Sequence, residues 1–425
     1  MKAVGIIAEY NPFHKGHAYQ LAKARELTGA DYAVIVMSGD FVQRGAPALT
    51  DKYIRTEMAL RSGADLVLEL PVPYAVGSAE AFAQGAVSLL DSLGCIDALC
   101  FGSECGDISA LLPYARLFEE EPELYLQLLR TYLKEGFSFP AARSRAAEEY
   151  RNCTERILPC APTDADCRSV VHLLEEPNNI LGIEYCRALL RQKSSIRPVT
   201  IKRISSGYHD LSLDTELASA SAIRRALTEN GCTEELLNQI PESCRPVFQK
   251  ALESYGVMQL DDFSSVLFYQ LLSISREELE TFQDITEDLA ARIFNLRFQF
   301  TTTSAFADLL KTRQLTHTRI TRALCHILLK LLQTDLDKLR KQNYPVYSRV
   351  LGFRKSAAPL LSAIKQKGTS PLLVKTADAS SLLTPVQLGL FEQDVHAAHI
   401  YEAAKTCRTG AAFSNEYTRS PIILP

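Results

Sequence analysis

AVGIIAEYNPFHKGHAY, residues 3–19, joins an apolar run to a polar turn with two histidines, and then to a helical pattern. An unbroken apolar run such as Ala3–Ala8 marks a strand buried on both faces, as in parallel sheets. Lys15–Leu27 has helical spacing, and Gly29 follows as a C-terminal stop. A plain strand-to-helix turn needs a cap and a small residue, but not His14 and His17. It does bring backbone N–H groups and the positive end of a helix together, which suits phosphate. Gly16 lets another group approach the first helical turn, and residues three apart such as His14 and His17 share one side of it. Two imidazoles there can donate to phosphate oxygens whose charge grows as pyrophosphate leaves. Pro12 keeps Asn11 extended. One histidine at a helix start is ordinarily a cap; two around a glycine at the end of a first strand ask for more. The chain has no GxxxxGK followed by Ser or Thr, which excludes P-loop chemistry. A zinc pair would lack two further ligands at motif spacing.

Outward from this stretch, strands and helices alternate. Tyr32–Met37, Asp65–Leu70 and Ile96–Gly102 read as further strands, and Arg197–Ile204 as the last. Asp51–Ser62, with Thr50 as candidate N-cap, and Ala79–Leu93 read as helices between them. The pattern predicts an α/β fold, a Rossmann-like parallel sheet covered on both faces. Ligands in such sheets sit at the carboxyl ends of the strands, where YNPFHKGH, SGDFVQRGAPALT and FGSECGD fall. Arg151–Leu174 reads as irregular. After about Asn230 the strand pattern stops and amphipathic helices take over. The expected division is a nucleotide-binding domain over 1–230 and a mostly α-helical domain over 231–425.

With 425 residues, 47% hydrophobic and 23% charged, the chain has the composition of a globular protein of two or three domains. No apolar run reaches the ~18 residues of a membrane span, and the N-terminus lacks a signal-peptide pattern. A cytoplasmic protein is expected. Eleven cysteines without paired spacing read as reduced thiols, and no metal-ligand set is expected. The net charge of −4 argues against coating nucleic acid with the whole surface, but Lys311–Lys355 holds eleven Lys or Arg against Asp335 and Asp337. Arg319, Arg322 and His326 share a helical stripe. Tyr344, Tyr347 and Arg349 add stacking and charge of the kind that suits RNA.

HKGH resembles the HxGH signature of the nucleotidyltransferase superfamily. SASAIR (Ser219–Arg224) is a weaker counterpart of the second signature, with Ser221 and Arg224 for phosphates and Ala222 where Thr is common. Six blocks, GIIAEYNPFHKGH, MSGDFVQRGAPA, ADLVLELPVPYAVGSAEAFAQGAV, FGSE, EPNNILGIEY and YPVYSRVLGF, together resemble the tRNA(Met) cytidine acetate ligase family. That resemblance implies ATP-dependent activation of acetate as acetyl-adenylate, with magnesium accompanying ATP, and acetyl transfer to N4 of the wobble cytidine of elongator tRNA(Met). It implies an ATP loop of Ile7, Ala8, Glu9, Tyr10, Asn11, Pro12, Phe13, His14, Lys15, Gly16, His17, Ala18, Tyr19 and Gln20. His14 and His17 would lie at the phosphates, and Gly102, Asn178, Arg203 and Ile204 would also meet the nucleotide. Arg319, Arg322 and Arg349 are the expected tRNA contacts. Arg44 suits tRNA or the acetate carboxylate. Asp40 and Glu104 are the candidates for a general base, should positioning alone not suffice. Two alternatives remain open: a small-molecule or protein-cofactor acetate ligase or adenylyltransferase, and a non-catalytic RNA-binding protein.

Overall fold

The computed structural model describes residues 1–154, 170–203, 217–312 and 314–425. Ile204, Cys160 and Cys167 lie outside the described residues. Ten strands are present among the described residues: β1 (Ala3–Ala8), β2 (Tyr32–Ser38), β3 (Phe41–Val42), β4 (Ala46–Pro47), β5 (Leu66–Leu70), β6 (Ala98–Ser103), β7 (Arg197–Lys202), β8 (Ser348–Arg354), β9 (Leu372–Leu373) and β10 (Ile422–Leu424). The main sheet runs β10-β8-β5-β2-β1-β6-β7, with β9 beside β8, while β3 and β4 form a separate hairpin. β1 is central and parallel to both neighbours, with Ala3 opposite Tyr32 and Val4 opposite Ala98. Its alternate residues feed two different cores. Ala3 and Ile7 pack on one face of the sheet, and Val4, Ile6 and Ala8 on the other. The apolar run is thus buried on both sides, as a parallel sheet requires. Strand order reverses direction at β1, so a crevice opens outside the ends of β1 and β6.

Helix α1 (Lys15–Thr28) starts at His14 as N-cap and ends at Gly29 in the left-handed conformation. Helix α2 (Lys52–Arg61) is capped by Asp51, whose carboxylate accepts from the N–H groups of Tyr53 and Ile54, rather than by Thr50. From Glu234 to Lys341 the chain is mostly helical, around a third core that includes Phe263, Leu289, Phe306 and Leu324.

The chain then returns to the sheet, which the reading of 231–425 as helical did not foresee. β8 lies antiparallel to β5, and β10 pairs parallel with β8. Basic ends disguise SRVLGFR as a surface segment, but Arg349 is 2% exposed. Its guanidinium meets Glu69 Oε2 at 2.9 Å and Glu416 Oε1 at 2.5 Å. Lys52 Nζ lies 2.7 Å from both carboxylates, and the Tyr53 hydroxyl donates to Glu416 at 3.0 Å. Arg349 therefore cannot serve as a tRNA contact; its charge is consumed inside the fold. Tyr344 and Tyr347 are buried too, and the Tyr347 hydroxyl donates to Asp394.

Asp40 stands further off, 3.8 Å from Lys52, and Glu69 and Glu416 make the close contacts to both cations, so removing one of these two leaves buried positive charge poorly compensated. Glu416→Ala is expected to lower stability by about 3–5 kcal/mol, read as a shift of the urea midpoint. A shift no larger than that of a surface substitution would refute the account of this tail.

Candidate functional site

The turn after β1 is built around its two histidines. His14 Nδ1 accepts from the Gly16 N–H at 3.1 Å, and His17 Nδ1 accepts from the His14 N–H at 3.3 Å. This is a reciprocal capping box made by imidazoles instead of hydroxyl and carboxylate. It fixes both tautomers, because a ring nitrogen that accepts carries no proton. Each neutral ring therefore bears its N–H at Nε2. The rings lie 3.8 Å apart, with Tyr10 and Phe13 packed against His17. Gly16 is required on steric grounds: a Cβ there would stand 2.8 Å from His14 Cε1. Burial, then Arg203 and Arg224, pushes His14 down to about 3. Burial, His14 and Arg203 likewise lower His17. Both are neutral donors near pH 7.

Arg224 reaches this turn from the helix Ala220–Asn230. Its Nη1 donates to Asn11 O at 2.8 Å, and Nη2 to Ser221 Oγ at 3.0 Å. The two signature segments, more than two hundred residues apart, thus meet. On the other side, Arg203 Nη1 lies 3.5 Å from Asn178 Oδ1, and its stem passes over Gly102, where a Cβ would be 3.4 Å from Arg203 Cγ. Ile7, Ala8, Tyr10 and Phe13 face the cores, whereas Lys15 and Tyr19 are exposed on α1. Ala18 and Gln20 are partly exposed. Asn11 Oδ1 accepts from the Leu49 N–H at 2.8 Å, and Glu9 Oε1 from the Gln43 N–H at 2.9 Å.

That last bond ties the turn to the β3–β4 hairpin, and the hairpin tip to the basic helix His317–Leu328. Arg44 O accepts from Thr321 Oγ1 at 2.8 Å. Gly45, at φ +70°, lies against the backbone of Arg322, where a Cβ would stand 2.3 Å from its Cα. Arg44 itself is exposed. Along the helix, the expected stripe divides. Arg319 is partly exposed, and Arg322 pairs with Asp284 at 2.5 Å. His326 is buried, each ring nitrogen 2.9 Å from a carbonyl oxygen, of Gln283 and Val76, so it is no surface contact. Lys311, Lys330, Lys338 and Lys341 are exposed.

Asp40 and Glu104 turn out to be occupied. Asp40 is buried, which pushes its acid up to about 6, and it accepts from the Lys52 N–H at 2.8 Å. Glu104 accepts from Asn178 and Asn179. Sequence reasoning missed Arg55, whose only signal was an arginine among apolar helix positions. Among the described residues, no three His, Cys, Asp or Glu side chains gather as a metal group, and no helix is long and apolar enough to cross a membrane.

The model of the HIGH Nucleotidyl Transferase family matches residues 1–415. A tRNA(Met) cytidine acetate ligase of Acetivibrio thermocellus is 38% identical over the full length of both chains. One of a Thermoanaerobacter species is 40% identical over 95% of this chain and 96% of its own. The chain belongs to the tRNA(Met) cytidine acetate ligase family. Among solved structures, Thermotoga maritima TmcAL bound with alpha-thio ATP superposes with a TM-score of 0.89 at 33% identity, covering both chains completely. The apo form of TmcAL gives 0.92 at 32% identity, again over both complete chains.

In this family member the neutral histidines make a pH prediction. Their folded values lie below the ordinary 6.5, so the unfolded chain takes up protons first as pH falls. Their contribution to stability is full above about pH 6.5 and is lost as pH falls below it, for His14 down to about pH 3. His14→Gln should flatten that decline in denaturant titrations at pH 7 and pH 5; an unchanged slope would show the ring already protonated. Gly16→Ala should displace the His14 ring and reduce nucleotide-dependent activity at least tenfold, while the melting temperature changes by only a few degrees.

Proposed function

We propose that the chain activates acetate with ATP and transfers the acetyl group to N4 of the wobble cytidine of elongator tRNA(Met). The observation that carries this reading is the meeting of His14, His17 and Arg224 at one turn, with both Nε2–H groups committed as donors. Two imidazole N–H groups and a guanidinium brought to the same turn suit the α-phosphate and the leaving pyrophosphate. An acetate oxygen attacks the α-phosphorus, the bond to the bridging oxygen breaks, and acetyl-adenylate and pyrophosphate result. The cytidine N4 then attacks the acetyl carbon, the bond from that carbon to the phosphate oxygen breaks, AMP leaves, and the proton lost by N4 passes to solvent. Because Asp40 and Glu104 already hold other groups, this second step is assigned to positioning rather than to a dedicated base. The alpha-thio ATP complex of the Thermotoga relative supports ATP as the nucleotide. Magnesium enters only as companion of the triphosphate, and no step is routed through a protein-held metal.

The hairpin supports the second half of the proposal. Gln43, Arg44 and Gly45 bridge Glu9 at the turn to Thr321 and Arg322 on the basic helix. An RNA held by Lys311 and Arg319 would therefore lie beside the adenylate rather than across the molecule. Its target base must leave the stack to be reached.

His17→Ala should abolish acetate-dependent ATP–pyrophosphate exchange with the fold intact, judged by circular dichroism. Turnover near wild type would remove the phosphate role. Joint replacement of Lys311 and Arg319 by Ala should weaken tRNA binding and lower its salt dependence by about one unit of slope per lost phosphate contact, leaving exchange without tRNA intact. Unchanged affinity and slope would place the RNA elsewhere.

A further inference from the structure

Glu104 follows β6 and turns its carboxylate onto the start of the helix Pro177–Arg191. Oε1 accepts from the Asn178 backbone N–H at 3.3 Å and from its side-chain Nδ2 at 2.5 Å, while Oε2 accepts from the Asn179 N–H at 2.8 Å. The helix has no side-chain cap from its own N-cap residue, Glu176. Glu104 supplies one from a neighbouring strand, where the helix dipole favours negative charge.

The consequence for Asn178 is one of orientation. An amide has a donor end and an acceptor end, and a carboxylate only accepts. Rotating the amide by a half-turn would bring Oδ1 against Glu104 Oε1 with no proton between them. The same rotation would turn Nδ2 toward the guanidinium of Arg203, whose Nη1 now lies 3.5 Å from Oδ1. Both neighbours demand the same orientation. Asn178 therefore offers an acceptor beside the exposed donors of Arg203.

We propose that Glu104 is a positioning residue that locks the Asn178 amide, so that Asn178 Oδ1 and the Arg203 guanidinium together select adenine over guanine. The proposal rests on the reading above that Asn178 and Arg203 hold the nucleotide. Adenine carries an amino donor at C6 beside ring-nitrogen acceptors, whereas guanine carries a carbonyl acceptor there. An unrestrained amide would rotate and accept either base. A locked one leaves guanine's carbonyl facing another oxygen, a mismatch that polar sites reject strongly. Selectivity then depends on a residue that does not itself touch the base.

The test is acetate-dependent pyrophosphate exchange with ATP and with GTP for wild type, Glu104→Gln, Glu104→Asp and Asn178→Ala. Glu104→Gln frees the amide. It should raise KM for ATP about tenfold with kcat within about threefold, and reduce the ATP-over-GTP ratio of kcat/KM at least tenfold. Glu104→Asp, which keeps the charge, should retain more of that ratio while still falling at least threefold below wild type, and it carries the test if the Gln variant is unstable. Equal losses for both nucleotides, or an unchanged ratio, would reduce Glu104 to a helix cap and overturn the proposal. Asn178→Ala separates the two readings. If it leaves KM for ATP unchanged, the nucleotide assignment fails; if it raises KM while the Glu104 variants keep the ratio, only the positioning role fails.

Discussion

Arg55 is wholly buried and donates to four carbonyl oxygens, those of Glu9, Ser38, Gly39 and Thr50. Glu9, Ser38 and Gly39 lie at the carboxyl ends of β1 and β2, where the parallel ladder runs out, and Thr50 lies just before α2. A crevice at a switch point needs its strands to diverge, and divergence strands backbone acceptors away from water. One guanidinium, with five N–H groups in a rigid fork, answers that need without filling the crevice. Arg55 sits on α2, so the helix, the ends of both strands and the hairpin that follows β2 are set by a single side chain. The histidine turn inherits its geometry from this point, because Glu9 both accepts from Gln43 and gives its carbonyl to Arg55.

The same helix carries Lys52 into the second buried charge group, and through it the fold acquires its C-terminal edge. Lys52 and Arg349 balance Glu69 and Glu416, residues drawn from α2, β8, β5 and the tail before β10. Apolar replacement of such a group often costs nothing in stability, so its value here is better sought in register. One guanidinium nitrogen of Arg349 lies against Glu69, its Cα partner in the β5–β8 register, and another against Glu416, so the aligned register of the returning strand is the one that serves both carboxylates. The antiparallel pair that extends an otherwise parallel sheet is thereby specified by charge as well as by apolar pattern.

Which features could be read from the chain follows from how locally they are encoded. β1, β2, β5 and β6 announced themselves because burial on both faces leaves unbroken apolar runs. The histidine turn was legible because its chemistry lies within seven consecutive residues. Arg349, Tyr347 and His326 were misread for the opposite reason: polar atoms in a sequence look solvated, and their partners at Glu69, Asp394 and Val76 lie dozens to hundreds of residues away. Charge counting over Lys311–Lys355 treated every cation as surface, whereas burial divides them into ones that hold the fold and ones that face solvent. Glu104 illustrates the same limit within the site. A carboxylate at the end of a sheet strand invites the role of base, and only the positions of Asn178 and Asn179 show its oxygens already engaged.

The neutrality of the two histidines completes the electrostatic logic of the site. Arg203 and Arg224 supply fixed positive charge, and Glu9 is within electrostatic reach of Arg224 as its acidic counterweight. Adding two imidazolium charges to so crowded a space would bring like-charge repulsion in the unliganded protein. Neutral rings avoid it, yet their capping box leaves both Nε2–H donors oriented before any ligand arrives. Permanent charge then comes from arginines that cannot lose it, and directional donation from imidazoles that need not gain it. The anion proposed for this turn would meet a preorganised field without the histidines first taking up protons.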